Sequence, residues 1–148
     1  MNARRTVLRT VLVAVVVVVA DQLTKAIVRS QLAPAQEVKL VLGAKLIRTR
    51  NTGVAFSVFS GGGPLVVLVA IVALGALLAF FVSHLHRRLV WLPTGLLIGG
   101  AAGNLIDRVH EGAVTDFIKL PHWPAFNVAD ICITLGVLAL IYVLEKVR

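Results

Sequence analysis

Charge is scarce in this sequence: 15% of its 148 residues are Asp, Glu, Lys or Arg, where a soluble domain carries about 25%. Cysteine is scarcer still. The single thiol, Cys132, excludes an intramolecular disulfide and a cysteine-ligated metal cluster, and it leaves the redox compartment open. The Ser-x-x-Lys and Gly-x-Ser-x-Gly elements of serine hydrolases are missing. So are the glycine-rich loops that cradle phosphates. There is no internal repeat and no low-complexity linker, and the length suits one domain spanning residues 1–148.

What the chain does have is apolar surface, with 58% hydrophobic residues and a mean hydropathy of +0.92. Four stretches carry it: Val7 to Val28, Pro64 to Val82, Val90 to Ile106 and Phe126 to Leu144. A bilayer core about 30 Å thick is crossed by roughly 20 residues of helix, so all four read as spans. The valine run Val15 to Val19 has strand propensity, but in lipid its backbone is satisfied only in a helix or a closed barrel. Barrel strands alternate polar and apolar residues, and these runs do not. The expected fold is an all-α membrane bundle of four transmembrane helices, one polytopic domain.

Between the first two spans, Glu37 to Ile47 mixes Val, Leu and Ile with Lys and Glu. That pattern suits a small extracytoplasmic β-like segment lying on the membrane. Val54 to Phe59 is apolar and aromatic, and Gly61-Gly62-Gly63 then breaks the pattern. Asp107 to Ala125, with Pro121, Trp123 and Pro124, reads as an interfacial loop that contains Asp116.

The formal net charge of +8 does not point to nucleic acid, because the basic residues cap apolar runs instead of lining one polar face. Anionic lipid headgroups are the better partner. Four spans put both termini on one side, with Arg4, Arg5, Arg9, Arg87, Arg88, Lys146 and Arg148. The other side holds Lys25, Arg29, Lys39, Lys45, Arg48, Arg50, Arg108 and Lys119. Seven against eight is no bias, but the first set sits in shorter segments, which predicts cytoplasmic termini. Ala33-Pro34-Ala35 mimics a signal-peptide cleavage site, yet the polar stretch from Asp21 to Leu32 is too long to precede one.

Polar groups within such spans are expensive and therefore informative. Asp21 and Lys25 lie four residues apart on one helix face and can pair, with Lys25 snorkelling to the interface. Gly99 and Gly103 allow close helix approach. Asn104, Asp107 and Arg108 share a face, which reads equally as an Asp–Arg pair at the headgroups or as the wall of a site. Asn127 and Asp130 share a face at the start of the last span; an N-terminal helix charge explains one acid but not both residues. Asp107, Asp116 and Asp130 fall on one side of the membrane. Two acids in contact can hold one proton, as in aspartic proteases. The His84-x-His86 pair lies in the opposite loop, and His110 and His122 lack a zinc-site spacing. Cys132, inside a span, reads as an inert thiol.

Five segments taken in order resemble the lipoprotein signal peptidases (signal peptidase II). They are Asp21-Gln22-x-Thr24-Lys25, Asn51-Thr52-Gly53-Val54-Ala55-Phe56-Ser57, Gly103-Asn104-x-x-Asp107-Arg108, Gly112-x-Val114-x-Asp116-Phe117 and Phe126-Asn127-x-Ala129-Asp130. The resemblance implies an aspartic endopeptidase of the bacterial cytoplasmic membrane, with its active site near the outer face. Its substrates would be diacylglyceryl-modified prolipoproteins, cut just before the lipidated cysteine. It implies Asp116 and Asp130 as the catalytic pair, and Asn51, Asn104, Arg108 and Asn127 as residues lining the substrate site. Asp21, Lys25 and Asp107 are implied as supporting residues. Neither metal nor organic cofactor is implied, and the enzyme is expected to act as a monomer among membrane lipids. The alternatives are a proton-coupled carrier using intramembrane Asp and Lys, and a non-catalytic assembly subunit. Carriers often show paired repeats and broken helices, and neither is visible here.

Overall fold

The computed structural model describes residues 2–53, 62–87 and 89–146. Four long helices dominate it: α1 (Ala3–Gln31), α2 (Gly62–Ser83), α3 (Trp91–Glu111) and α4 (Val128–Lys146). Three short strands, β1 (Glu37–Lys39), β2 (Lys45–Asn51) and β3 (Val114–Lys119), form one antiparallel sheet in that order. The valine run lies inside α1, as the lipid argument requires. Asn2 caps that helix, its Oδ1 accepting the Arg4 amide at 3.1 Å. Gly112 closes α3 in the left-handed conformation (φ 70°), its amide reaching the Arg108 carbonyl.

The helices alternate in direction around α3. Glycines on two of its faces set the spacing. A Cβ on Gly95 or Gly99 would lie 2.7 Å from Val13 or Val17 of α1, and one on Gly100 would lie 2.6 Å from the Ala129 carbonyl of α4. Only a hydrogen atom fits at each, so backbones meet closely without large side chains. Gly103 meets Asp21 in the same way. α2 lies against α3 and leaves most of its apolar surface uncovered, including Leu68, Val69 and Val72. Such a surface marks contact with lipid or a partner.

Among the described residues, α1, Pro64–Ser83 and α4 are long and apolar enough to cross a membrane, with mean hydropathies of 2.2, 3.2 and 2.1 over their best stretches. α3 is not one of them, because small residues and Asn104, Asp107 and Arg108 dilute its apolar content. The last helix starts at Val128; Phe126, expected inside it, is bridged to Ile118 instead.

The sheet is larger than expected and differently built. β1 and β2 do fall between α1 and α2, but β3 comes from the connection between α3 and α4. Asp116 therefore sits in a strand and not in an irregular loop, opposite Thr49 of β2. The signal was legible: Val114-Thr115-Asp116-Phe117-Ile118 is rich in β-branched and aromatic residues. Val54 to Phe59 lies outside the described residues.

Candidate active site

Asp21, Lys25, Asn104, Asp107, Arg108 and Asp130 all lie toward one end of the bundle, the end that carries the sheet. There the C-terminal halves of α1 and α3 meet the N-terminus of α4, and the polar side chains separate into two adjoining groups.

The first group is ionic. Lys25 is fully buried, and its three protons find three acceptors: Asp21 Oδ2 at 2.7 Å, Asp107 Oδ2 at 3.0 Å and Asn104 Oδ1 at 3.0 Å. Snorkelling is thus excluded; the ammonium stays inside because α3 brings it a second carboxylate. Asp107 pairs with Lys25, not with its neighbour Arg108, and Arg29 approaches it at 3.8 Å. The spare oxygens are occupied as well. Asp21 Oδ1 accepts the Ala129 amide at 2.9 Å, Asp107 Oδ1 faces Arg29 and Gln22, and Asp107 Oδ2 takes the Thr115 amide at 3.0 Å besides Lys25. Gln22, part of the first matching segment but given no role there, donates to Asp107 at 3.0 Å and to the Gly103 carbonyl at 3.1 Å. A polar side chain inside an apolar run was the signal for it. This group ties α1, α3, β3 and α4 together.

The second group contains the other two acids, and its partners are amides. Asp116 is 2% exposed and accepts the Asn127 side-chain amide at 2.7 Å and that of Asn51 at 3.0 Å. Thr49 steadies the same residue by donating to its carbonyl at 3.0 Å. Asp130 accepts the Asn104 amide at 2.8 Å. Asn127 and Asp130 also form a reciprocal cap of α4. The Asp130 amide donates to Asn127 Oδ1 at 2.9 Å, and the Asn127 amide donates to Asp130 Oδ2 at 3.2 Å. The helix-start reading of Asp130 is therefore correct as far as it goes, and the cap explains why Asn127 shares its face.

The two groups communicate through Asn104. Its Oδ1 accepts from Lys25 and from Asn127, so its NH2 must point the other way, at Asp130. Asn127 in turn spans Asn104 and Asp116. Among the described residues neither Asp116 nor Asp130 has a cationic partner within ion-pair distance, whereas Asp21 and Asp107 do. Asp116 is pushed up from 3.8 to about 6, chiefly by burial; the amide of Asn51 opposes the rise, and the charge of Asp130 adds to it. A carboxyl with that affinity can hold and release a proton near neutral pH.

Arg108 stands apart. It donates to the Asn104 carbonyl of its own helix at 3.3 Å, and its Nε is buried without a partner. It lines a cavity of about 410 Å³ with Thr52, Pro64 and Val66, not the carboxylates themselves. His84 stacks on Phe80 at the other end of the bundle, far from the acids in the chain's path. Of the second matching segment, Asn51, Thr52 and Gly53 are described, and Val54 to Ser57 lie outside the described residues.

Comparison with known proteins points to one family. The family model described as signal peptidase (SPase) II matches residues 13–145. A lipoprotein signal peptidase of Dehalococcoides mccartyi is 40% identical over 131 residues, covering 84% of this chain and 81% of that protein. One from Halothermothrix orenii is 34% identical over 140 residues, covering 92% and 97%. A bacterial membrane enzyme solved by the in meso method at 1.9 Å resolution superposes with a TM-score of 0.86 at 33% identity, covering 94% of each chain.

Proposed function

The chain belongs to the signal peptidase II family, and from that premise we propose that Asp116 and Asp130 are the catalytic pair of an aspartic endopeptidase. The protein removes signal peptides from prolipoproteins. In the finer reading, it cuts just before a diacylglyceryl-modified cysteine. The observation that carries the aspartic reading is the division of the acids: two neutralised by Lys25 and Arg29, two held only by amides. Asp116, raised to about 6 by burial, can give up a proton near neutral pH. The carrier alternative loses its support in the same comparison.

One carboxylate takes a proton from a water as its oxygen attacks the scissile carbonyl carbon. We assign that part to Asp130. Asp116, whose affinity for the proton is raised by burial, carries the proton and donates it in a hydrogen bond to the developing oxyanion. Collapse of the tetrahedral intermediate breaks the C–N bond. The proton taken from water passes to the leaving nitrogen, which becomes the free amino group of the lipidated cysteine. Asn51, Asn104 and Asn127 hold the two carboxylates in register before substrate arrives. Arg108, with its unpartnered Nε on the neighbouring cavity, is assigned to the substrate rather than to the acids. Asp21, Lys25 and Asp107 act through Asn104 as positioning residues.

The remaining parts of the reading follow from the helix order. α3 serves as the fourth span, its polar end facing the site and its glycine faces covered by α1 and α4. Both termini are cytoplasmic, and the sheet end lies at the outer face. Both acids come from one chain, which suits a monomer among membrane lipids. Incubation of the purified protein with a diacylated prolipoprotein tests the function directly. Mass spectrometry should find a new amino terminus at the lipidated cysteine; an intact precursor, or cleavage elsewhere, would remove the reading.

A further inference from the structure

The β1–β2 turn ends the sheet with Leu40, Val41 and Leu42, and Leu42 is 97% exposed and Val41 79% exposed. Leu42 also adopts the left-handed conformation, φ 56°, which a branched side chain enters only at a cost. A strained, bare leucine gains nothing from water. Strain of this kind persists where a function requires it.

The turn has a companion. Gly43 packs on Pro121, so that a Cβ there would lie 3.1 Å from the proline ring. The loop after β3 thus lies beside the turn and adds Leu120 and Trp123, the latter 62% exposed. That loop is folded back along α4: Leu120, Trp123 and Phe126 line one groove of about 270 Å³ with Ile131, Thr134 and Leu135, and Asp130 opens onto the same groove. Leu135 is seven residues beyond the start of α4, roughly 10 Å along the helix at 1.5 Å per residue. The apolar tip therefore descends beside the apolar wall of α4 and is continuous with it. Its rim is basic. Lys39, Lys45 and Lys119 flank the patch, with Glu37 paired to Lys45 at 2.7 Å, which leaves two net positive charges. Lys119 also ties the loop by donating to the Trp123 carbonyl at 2.7 Å.

We infer that the β1–β2 turn and the loop after β3 form a lipid anchor that dips into the leaflet on the catalytic side, with the lysines at the level of anionic headgroups. Apolar residues below, lysines above and a Trp between them are the layering of an interfacial element. The consequence is positional. β2 carries Asn51 and β3 carries Asp116, so anchoring the far ends of these strands fixes the height of Asp116 above the bilayer. The inference rests on the reading of the helices as membrane spans, and not on the assignment of the catalytic pair.

A nitroxide at position 42 (Leu42→Cys in a Cys132→Ser background) tests it in bilayers of phosphatidylcholine with and without phosphatidylglycerol. Collision with oxygen should exceed collision with a water-soluble nickel chelate at position 42. The order should reverse for a label placed by Gln36→Cys, in the exposed turn before β1. Adding phosphatidylglycerol should deepen the label at 42, and Lys39→Gln with Lys45→Gln should remove that response. A label at 42 open to nickel in both lipids would overturn the anchor, as would one closed to both reagents, the sign of a protein contact. Insertion with no response to phosphatidylglycerol would overturn the headgroup part. None of these readouts requires cleavage, so failure here and failure of the peptidase reading are separable.

Discussion

Asp116 and Asp107 are chemically alike, equally buried and nine residues apart, yet their surroundings set opposite fates. Asp107 accepts from an ammonium, a backbone amide and Gln22. Removing one partner of such a buried pair typically costs about 3–5 kcal/mol, because the other charge is left uncompensated. Asp116 has only amides around it, and burial raises its pKa from 3.8 to about 6. The linkage has a definite sign. Between pH 4 and 6 the folded protein holds a proton that the unfolded chain has lost, so stability falls as pH rises through that window and levels off above it. Asp116→Asn removes the titrating group. The melting temperature of that variant relative to wild type should therefore climb from pH 4 to pH 7, measured in one detergent. A difference independent of pH would mean that Asp116 titrates normally. Much of this site was legible in the residues: Asn127 with Asp130, and Asn104 with Asp107, stand out against apolar runs. Which acid receives Lys25 was not, since helix periodicity reveals a shared face but not the neighbour across it. Periodicity left an Asp107–Arg108 pair and a site wall equally open, and the cation that reaches Asp107 is 82 residues distant.

At the scale of elements, the glycines of α3 decide how close the site's three helices come. Gly99 has no room: an added Cβ would meet Val17 Cβ at 2.7 Å and the Ala14 carbonyl at 2.8 Å. Gly75 of α2 has nothing within 4 Å. Overpacking typically costs about 1–3 kcal/mol, while glycine to alanine in an open helix gains up to about 1 kcal/mol. Gly99→Ala should accordingly lower the melting temperature and Gly75→Ala leave it level or raise it; equal effects would contradict the packing. The helices themselves were legible from apolar run length, and their ends shifted only by a few residues. The third strand has the composition of a strand, but six residues between two helices give little periodicity, so the segment reads as a loop. Its partners in the sheet are also 63 to 74 residues earlier in the chain. Only the pairing of β2 with β3 brings Asn51 to Asp116.

Across the whole molecule, alternation of four helices brings the start of α1 and the end of α4 to the side opposite the acids. Arg9 lies over the ring of Trp91 there, 5.6 Å from its centroid, and Thr10 reaches the Trp91 carbonyl. With cytoplasmic termini, a cysteine at His86 in a Cys132→Ser background should resist an impermeant reagent added outside the cell, and one at Gln36 should react. Labelling at position 86 would invert the topology. An aspartic mechanism requires Asp116 and Asp130 to act as one unit. Members of such a unit are non-additive, because losing either disables the same step. Initial rates of prolipoprotein cleavage by Asp116→Asn, Asp130→Asn and the double variant, in one detergent and with folding checked by melting, measure this directly. Each single variant should be folded and without measurable cleavage, and the double variant hardly worse than either. Near-normal cleavage by either single variant would contradict the aspartic mechanism.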